Sequence, residues 1–379
     1  MLHCGMDYSS DTVHLDRSKS YPFRSTSTRL VSSHSQIHRK ITLNDIAAGC
    51  ELSRATVSLV LRGSPLVNQH TRARVELELR KQGYVYNRAA ANLRQRTSST
   101  IALVLNDLAN PFFAEFAAGV DEALGEAGYV TLLGCTNESS TRERAVLNSL
   151  LEHGPAGMIL SPAEHSSAED VLGAIGARTP LLVFNRELGG HASAATHWDQ
   201  LMLDNQRGAR LATEHLIERG HRRIAFFGGH HDSSSCRQRH AGYKQAMRAA
   251  KLPIEASWQI ESAPTRLDAA HQTQALFAGD IVPTAAVCYN DAVALGLMLG
   301  LYQRGLRPGK DFALTGFDDI AEAALGVPPL TTLSTVPRER GLQAAQLMLQ
   351  RLHEPNTPNG QTIAPVNLVI RASSCPPPP

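Results

Sequence analysis

The stretch TLNDIAAGCELSRATVSLVL, at positions 42–61, predicts two short helices joined by a tight turn. Thr42 and Ser53 stand where the two helices begin, and both residue types are good N-caps. Apolar side chains recur on one face of each helix, as expected if the helices pack together: Leu43, Ile46 and Ala47 in the first, and Val57, Val60 and Leu61 in the second. The outer face of the second helix is left to Arg54, Ala55, Ser58 and Leu59.

The charge around this stretch indicates a polyanionic partner. Positions 37–96 hold 11 Lys/Arg and 4 Asp/Glu, a net charge of +7, whereas the rest of the chain holds 26 basic and 31 acidic residues, a net charge of −5. A third helix is predicted between Asn68 as N-cap and Gly83. Because two small helices crossing at a steep angle match the helix-turn-helix, the expected partner is double-stranded DNA.

From position 101 onward, short apolar strands alternate with amphipathic helices. The predicted strands are IALVLN (101–106), VTLLGC (130–135), GMILSP (157–162), LLVFNR (181–186), IAFFGG (224–229), AAVCYN (285–290) and FALTGF (312–317). Near-continuous apolar strands are expected in parallel sheets covered on both faces, so the body is predicted to be a doubly wound α/β fold. Its length is too great for one such sheet, which predicts two lobes with a break near HASAATHWDQ (191–200).

Polar residues stand at the carboxyl ends of several predicted strands: Asn106, Ser161, Asn185, Asn290 and Asp318. Open α/β sheets bind ligands at this edge. Each residue taken alone is equally well explained as a cap of the following helix. The convergence of all five on one cleft favours a binding site.

The composition argues against several classes of protein. Six Cys stand at positions 4, 50, 135, 236, 288 and 375 with no CxxC pair, which favours reduced thiols over a disulfide framework. No apolar run reaches the ~18–20 residues of a membrane span, and no secretory signal is evident at the N-terminus. We therefore expect a cytoplasmic protein. Positions 1–38 are expected to be disordered, or an artefact of an upstream start codon, and 374–379 are expected to form a disordered tail.

Eight motifs in family order carry a resemblance that spans positions 40 to 372: ATVSLVLRGS, GYVYNRAAANLR, DLANPFFAEFAAGV, DNQRGARLATEHLIERGHRRIAFFGG, RQRHAGYKQAM, CYNDAVALG, LTGFDDI and PPLTTL. The chain resembles the LacI/GalR (lactose-repressor) family of bacterial transcription regulators. TVSLVL and AVCYN also resemble the branch that includes the maltose-regulon repressor.

This resemblance implies a domain order. Residues 39–87 would form a helix-turn-helix DNA-binding head and residues 88–99 a hinge helix and linker. Residues 100–373 would form a two-lobed, periplasmic-binding-protein-like body that binds an effector and dimerises. Lobe 1 is expected at about 100–196 plus 337–354, and lobe 2 at about 197–336 plus 362–373.

The resemblance also assigns the DNA contacts. Arg54, Ala55 and Leu59 would face the bases, with Arg54 pairing with a guanine or else touching phosphate alone. Leu59 stands where relatives often carry Arg. Phosphate contacts are expected from Thr42, Ser53, Ser58 and Asn68. In the hinge, Leu93 would wedge into the minor groove or, alternatively, pack on the body. The residues expected beside Leu93 are Asn87, Arg88, Ala90 and Arg94.

One turn residue departs from the family pattern. Glu51 stands where many relatives have Gly, which predicts a non-glycine residue at positive φ and a cost of about 1 kcal/mol to the head.

For the effector, Arg239, Asn290 and Asp318 match the family's ligand contacts. Together they suit a neutral polyol such as a sugar, although relatives with the same Arg and Asp bind purines or nucleosides. An apolar platform is expected from Phe112 and Phe113 or from Trp198, and further polar contacts from Asn106, Ser161 and Asn185. Asp319 is expected to cap the following helix.

The resemblance further implies how the two sites communicate. Closure of the lobes on ligand would shift the interface of a homodimer and thereby alter its grip on a palindromic operator. Whether the effector is an inducer or a co-repressor is left open by the sequence.

Two other classes of protein fit less well. An enzyme is disfavoured because no GxGxxG follows a strand and neither GxxxxGK[ST] nor GxSxG occurs, and we expect no cofactor. The adjacent His230 and His231 lack the i, i+4 spacing of a helical zinc site, so no metal is expected either. A transporter-type solute-binding protein for a sugar would share the two-lobed body. The basic head and the missing signal peptide argue against it.

Overall fold

The computed structural model of the chain describes residues 41–84, 98–176, 178–190 and 198–375. It divides into two units, a head that ends at Tyr86 and a body that begins at Asn87. The helices of the head are α1 (Leu43–Gly49), α2 (Arg54–Leu61) and α3 (Gln69–Gln82). All three were predicted, with their N-caps Thr42, Ser53 and Asn68. Each cap accepts a hydrogen bond from the backbone N–H three residues later, which stabilises the start of its helix.

The head is held together by a small apolar core in which α1, α2 and α3 each bury side chains. Its fully buried members are Ile46, Ala47, Cys50, Val57, Val60 and Val75. Leu61, which was expected to be buried, is only half-buried. Glu51 adopts φ 51°, which confirms the predicted positive φ in the turn between α1 and α2. The helix-turn-helix therefore carries a strained turn residue of the kind that Gly would relieve.

The body contains two parallel sheets, which confirms the predicted doubly wound class. The first has the strand order β11-β5-β4-β3-β1-β2. Its strands are β1 (Thr100–Leu105), β2 (Val130–Cys135), β3 (Gly157–Leu160), β4 (Leu181–Phe184), β5 (Asp199–Leu203) and β11 (Gln361–Ala364). It is flanked by α4 (Pro111–Glu126), α5 (Ser140–Leu151), α6 (Ala168–Ile175) and α12 (Pro337–His353). These elements form lobe 1.

The second sheet has the strand order β7-β6-β8-β9. Its strands are β6 (Ile224–Phe227), β7 (Gln259–Ile260), β8 (Ala285–Cys288) and β9 (Ala313–Thr315). Its helices are α7 (Asn205–Glu218), α8 (Ser234–Ala249), α9 (Arg266–Gln272), α10 (Asp291–Gln303) and α11 (Ala321–Leu325), with short 3-10 turns at Ala256–Trp258 and Thr273–Phe277. An antiparallel pair, β10 (Thr332–Ser334) and β12 (Asn367–Val369), completes lobe 2.

The boundary between the lobes differs from the prediction. Strand β5 pairs with β4, and β11 pairs with β5, so residues 199–203 and 361–364 belong to the first sheet rather than to lobe 2. The prediction was wrong because these short strands show little apolar pattern, and their place depends on partners distant in sequence. The chain therefore passes between the lobes after β5, before α12 and after β11.

Two helix pairs are drawn together by glycine. A Cβ atom on Gly341 of α12 would lie 2.1 Å from the carbonyl oxygen of Phe116 in α4. In lobe 2, a Cβ on Gly242 of α8 would lie 2.0 Å from the carbonyl oxygen of Gln206 in α7. Both helix crossings therefore require a residue without a side chain, because close-packed interiors leave no room for an added carbon.

The C-terminal segment is ordered further than expected. Ser374 is buried, and its hydroxyl lies 2.8 Å from Nε2 of His215. The carbonyl oxygen of Cys375 lies 2.8 Å from Nε2 of His221. The expectation of disorder from position 374 was therefore wrong for these two residues, because buried histidines of α7 and of the turn after it hold them. Within the described ranges, no helix combines the length and apolar character that a bilayer crossing needs.

Candidate functional site

The first candidate surface is the N-terminal part of α2. Arg54 and Ala55 lie in its first turn and are exposed, whereas Ser58 and Leu59 are half-buried. The opposite face of α2 packs Val57 and Val60 into the head. A helix held in this way presents a cation and small side chains at its positive end, which suits an approach to a polyanion.

Three of the four residues predicted to contact phosphate are N-caps at helix starts, whereas the fourth, Ser58, lies in the middle of α2. Ser53 Oγ accepts from the N–H of Thr56 at 3.1 Å, and Asn68 Oδ1 accepts from the N–H of Thr71 at 2.8 Å. Thr42 forms a reciprocal pair with Asp45. These side chains are exposed at helix N-termini while they cap them, so contact with phosphate stays a prediction. The predicted hinge residues lie outside the described residues: Asn87, Arg88, Ala90, Leu93 and Arg94.

The second candidate site is a cleft between the two lobes. It encloses about 350 Å³ of empty space, part of which is open to solvent. The lining residues from lobe 1 are Asp107, Asn110, Phe112, Phe113, Glu138, Asn185 and Arg186. Those from lobe 2 are Arg239, Pro264, Tyr289, Asn290 and Asp318.

On the lobe 2 side, Arg239 is the central cation of the cleft. Its Nε donates to Asn205 Oδ1 at 2.9 Å, and its Nη1 donates to the carbonyl oxygen of Tyr289 at 2.6 Å. The guanidinium carbon lies 3.6 Å from the ring centroid of Phe317. The Nη2 atom lies 3.9 Å from Oδ1 of Asp318. Packing and hydrogen bonds thus hold Arg239 in one orientation, with its free edge toward the carboxylate.

Asp318 lies in the cleft as predicted, in an unusual backbone conformation. Its φ is 126°, and the backbone is held by a bond from its N–H to the carbonyl oxygen of Leu333 and by the Thr335 hydroxyl, which donates to its carbonyl oxygen. Burial raises the pKa of Asp318 well above its usual range, Arg239 opposes this rise, and the nearby Asp291 adds to it. A buried carboxylate held in strained backbone is a typical functional feature.

The neighbouring Asp319 does not cap a helix, so that expectation was wrong. Its Oδ1 accepts from Arg371 Nη2 at 2.7 Å. The start of α11 is instead served by Asp291, whose Oδ2 accepts from the N–H of Ile320 at 2.9 Å. Asp291 is fully buried, and burial raises its pKa to about 6. A carboxylate from α10 takes the capping role because the turn after β9 aims Asp319 away from α11.

Asn290 lines the cleft and also caps α10. Its Oδ1 accepts from the N–H of Val293 at 2.9 Å. The cap and binding interpretations are therefore compatible, because the cap uses the oxygen and leaves the amide N–H groups as donors for a ligand.

The lobe 1 side combines an aromatic wall with an unpaired acceptor. Phe112 and Phe113 begin α4, and their ring centroids lie 5.0 Å apart in a T-shaped arrangement. Asn185 follows β4 at φ 65°, is 4% exposed, and its Oδ1 has no hydrogen-bond partner among the described residues. A buried acceptor left in this state costs free energy, which a ligand hydroxyl group can recover.

Beside Asn185, Arg186 forms a bidentate salt bridge with Glu138. The distances from Nη1 and Nη2 to the two carboxylate oxygens are 2.6 and 2.9 Å. Burial would lower the pKa of Arg186, but Tyr289 and Glu138 together raise it above its usual value. Asn106 Nδ2 donates to Glu138 Oε2 at 3.2 Å and to the carbonyl oxygen of Pro162 at 2.8 Å.

Three predicted effector contacts do not line the cleft. Asn106 and Ser161 are fully buried and hydrogen-bonded to each other, one layer behind Glu138, so they support the wall instead of touching a ligand. Trp198 is 2% exposed and packs in the core on the α5–α6 face of the first sheet. It cannot serve as an apolar platform, because that face of the sheet lies away from the cleft lining. Phe112 and Phe113 take that place.

Sequence reasoning missed several lining residues: Asp107, Asn110, Glu138, Arg186, Pro264 and Tyr289. Asp107 and Arg186 directly follow Asn106 and Asn185, so the strand-end argument extends to them. Tyr289 directly follows β8, so the same argument extends to it. Glu138 carried no such signal, because it lies in a loop whose direction depends on two residues at positive φ. His231 contacts Glu261 at an exposed position on lobe 2. The described ranges contain no group of three or more His, Cys, Asp or Glu arranged to hold a metal.

Comparison with known proteins places these two sites in one family. Residues 42–87 match the model "Bacterial regulatory proteins, lacI family", and residues 213–374 match "Periplasmic binding protein-like domain". The chain is 32% identical over 340 residues to the maltose regulon regulatory protein MalI of Escherichia coli (strain K12), covering 87% of this chain and 98% of that protein. This chain belongs to the LacI family. It is a transcription regulator with a DNA-binding head and a two-lobed body.

Solved structures of the family support the same fold. The Lac repressor dimer bound to operator and the anti-inducer ONPF superposes with a TM-score of 0.78 at 26% identity, covering 89% of this chain and all of that one. The complex of the transcriptional regulator CelR with cellobiose has a TM-score of 0.66 at 28% identity, covering 88% of this chain and 99% of that one.

Proposed function

We propose that this protein is a repressor that binds a palindromic operator as a homodimer and releases or tightens its grip when a small molecule enters the cleft. The observation that carries the proposal is the coexistence of an exposed recognition surface on α2 with a polar cleft between two lobes. We place it in the cytoplasm, where the chromosome lies. Its action needs no catalytic residue, and we propose no enzymatic activity.

The DNA contacts begin with Arg54. It is exposed in the first turn of α2 and can donate to O6 and N7 of a guanine, a contact worth about 1–3 kcal/mol in discrimination. Leu59 cannot donate, and its half-buried side chain suits a thymine methyl group. Ser53 and Asn68 lie at exposed helix N-termini, where a phosphate can bind. The hinge contacts around Leu93 follow from the family resemblance alone.

A neutral sugar is the proposed effector. Asn185 Oδ1 and the Asp318 carboxylate offer acceptors from opposite lobes, and Asn290 offers amide donors, so hydroxyl groups of a polyol can satisfy both walls. Phe113 and Phe112 supply the apolar face that a sugar ring needs. The CelR complex shows that a relative with this fold binds a sugar in its own case. A purine or nucleoside is the second candidate, favoured by the same aromatic pair, which can stack on a flat base.

Homodimer formation is supported by two exposed apolar surfaces. The edge strand β2 of the first sheet exposes Val130 and Leu133. Lobe 2 exposes Leu299 and Tyr302 on α10, together with Val327, whose carbonyl oxygen accepts from the Tyr302 hydroxyl at 2.6 Å. On lobe 2 these residues form one exposed apolar patch, and surface of this kind marks interaction sites. A dimer that covers surfaces on both lobes would sense their relative movement, which is what couples the cleft to the heads.

The test is a selection of operator sequences from random duplexes by the full-length protein, followed by fluorescence anisotropy at several salt concentrations. We expect a palindromic site whose affinity falls steeply with salt, because several phosphates are contacted at once. Removal of residues 1–98 distinguishes the alternative. A transporter-type solute-binding protein would lose nothing, whereas the proposed regulator keeps ligand binding and loses operator binding. Equal affinity for selected and random duplexes, with and without ligands, would refute the proposal.

A further inference from the structure

The cationic residue on the lobe 1 wall of the cleft, Arg186, is already bound to a carboxylate of the protein. Both Nη atoms of Arg186 bind the two carboxylate oxygens of Glu138, in the parallel geometry that Arg also uses for phosphate and carboxylate ligands. Nη2 further donates to the Tyr289 hydroxyl at 3.3 Å and Nη1 to the carbonyl oxygen of Pro162 at 3.4 Å. The Nε atom is buried without a hydrogen-bond partner in the described part of the chain. Arg186 therefore presents no open fork to an incoming anion.

The loop that carries Glu138 is shaped to keep the carboxylate there. Asn137 and Glu138 both have positive φ, at 49° and 60°. Non-glycine residues persist in this conformation only where their surroundings hold them. Glu138 Oε2 is held by Asn106, which is itself fixed by Ser161 and by the carbonyl oxygen of Pro162. Two fully buried polar residues thus serve to position one carboxylate in the cleft.

The second cation of the cleft is also engaged. Arg239 is bound by Asn205 Oδ1 and by the carbonyl oxygen of Tyr289, and it faces Asp318. The lining holds three carboxylates and two guanidinium groups, a formal charge of −1. An anionic ligand would meet a carboxylate on each wall, Glu138 and Asp318, and the open edge of Arg239 already faces Asp318, so repulsion between like charges opposes the binding of an anion.

We infer that Glu138 is a specificity-determining residue: by occupying Arg186 it makes the cleft accept uncharged ligands and reject phosphorylated or carboxylate forms of the same compounds. The inference rests on the proposed function, in which the cleft is the site of a neutral effector, and adds the residue that enforces this selectivity. An uncharged ligand with hydroxyl donors meets Asn185 Oδ1 and Asp318 without displacing the salt bridge.

The experiment uses the full-length protein and compares E138Q with the wild type. Inorganic phosphate is titrated against chloride at constant ionic strength, and ribose is compared with ribose 5-phosphate and glucose with glucose 6-phosphate, by thermal shift and calorimetry. We expect the wild type to discriminate against phosphate. E138Q frees the Arg186 fork and should bind phosphate at least about tenfold more tightly, as expected for gain of a charge-assisted pair. The double variant E138Q/R186Q should lose this gain.

Asp107→Asn is the matched control. Asp107 lines the same cleft, and its Oδ1 accepts from the N–H of Ala109 at 2.8 Å. D107N therefore changes the charge of the cleft as much as E138Q does, but it frees no arginine. A gain in D107N as large as in E138Q would overturn the inference. The inference would also be overturned if E138Q is folded, as judged by circular dichroism, and shows no gain in phosphate affinity. A wild type that binds the phosphorylated sugar more tightly than the neutral sugar would overturn it as well, even if E138Q fails to fold. None of these results affects operator selection, so failure of the inference is distinguishable from failure of the proposed function.

Discussion

Asp318 is the residue whose substitution tests the effector site most directly. Asp318→Asn keeps the size and shape of the side chain but removes the negative charge and replaces one acceptor with a donor. The fold should tolerate the change, because Arg239 retains its bonds to Asn205 and to the carbonyl oxygen of Tyr289 and its stacking on Phe317. The variant also avoids the cost of burying the charge of Asp318, the same cost that raises its pKa, and this offsets part of the stability lost with the ion pair to Arg239.

The expected loss follows from the geometry of the cleft. A hydrogen bond from a ligand hydroxyl group to a charged, buried acceptor contributes about 1.5–3 kcal/mol. Loss of one such bond weakens ligand binding by about 10-fold to 150-fold at 25 °C. The affinity for operator in the absence of ligand should not change, because Asp318 lies in the body and its proposed contact is with the ligand. The ligand response of the repressor should therefore shift to higher ligand concentration by the same factor.

The assay has two stages. A thermal-shift screen of the full-length protein against neutral sugars and nucleosides identifies a binder, since a ligand at 100 times its Kd stabilises by about 2.7 kcal/mol. Calorimetry then compares wild type, D318N and the control D319N, whose neighbouring carboxylate binds Arg371 instead of lining the cleft. If D318N binds within twofold of the wild type while D319N is also unchanged, Asp318 does not contact the ligand and the assignment of the cleft is refuted.

Four other substitutions test the rest of the structure. Glu51→Gly removes a non-glycine residue at φ 51° and should stabilise the head by about 0.5–1 kcal/mol, measured by hydrogen exchange of α2 amides in the full chain. Gly341→Ala places a Cβ 2.1 Å from the Phe116 carbonyl oxygen and should destabilise the body by about 1–3 kcal/mol or more in urea unfolding. Burial lowers the pKa of His240 to about 4. Between about pH 6.5 and 4, the unfolded state therefore takes up a proton that the folded state does not. On acidification from pH 7 to 4, the stability of the wild type should fall by about 3 kcal/mol relative to that of His240→Gln. Leu93→Ala should weaken specific operator binding and bending far more than non-specific binding.

Each of these has an outcome that contradicts it. An unchanged exchange rate in E51G would mean that the strain is absorbed elsewhere, and an unchanged midpoint in G341A would mean that the helices of lobe 1 can separate freely. Parallel pH profiles for H240Q and wild type would show that His240 has the same pKa in the folded and unfolded states. Equal losses of specific and non-specific binding in L93A would rule out a minor-groove wedge.

Local patterns were enough to predict the helices of the head and the seven strands named from their apolar runs. Thr42, Ser53 and Asn68 act as caps through bonds to residues only three positions away, so their role is written in adjacent sequence. The positive φ of Glu51 was predicted from the family resemblance, because many relatives have Gly at this position in the turn. Asn290 and Asp318 were placed in the cleft because they follow strands whose carboxyl ends must converge, whereas Arg239, inside α8, was assigned by the family resemblance alone.

The failures share a different physical cause. Asn106, Ser161 and Trp198 have the right residue types, but a strand end has two layers and a sheet has two faces, and packing alone decides which layer a side chain joins. Strands β5 and β11 were misplaced because β11 pairs with a segment more than 150 residues earlier in the chain. Glu138 was missed because its position depends on backbone strain that is stabilised by neighbours distant in sequence.

From the order of its residues alone, this protein is a DNA-binding head followed by a doubly wound body, because periodicity, capping and charge are properties of neighbouring residues. The tertiary structure decided which side chains meet in the cleft and which of its charges are already paired. Glu138 and Arg186 are 48 positions apart in the chain, and no local pattern can indicate that one neutralises the other. The charge that a ligand meets is therefore a property of the fold, since it depends on distances that only packing brings to a few ångströms.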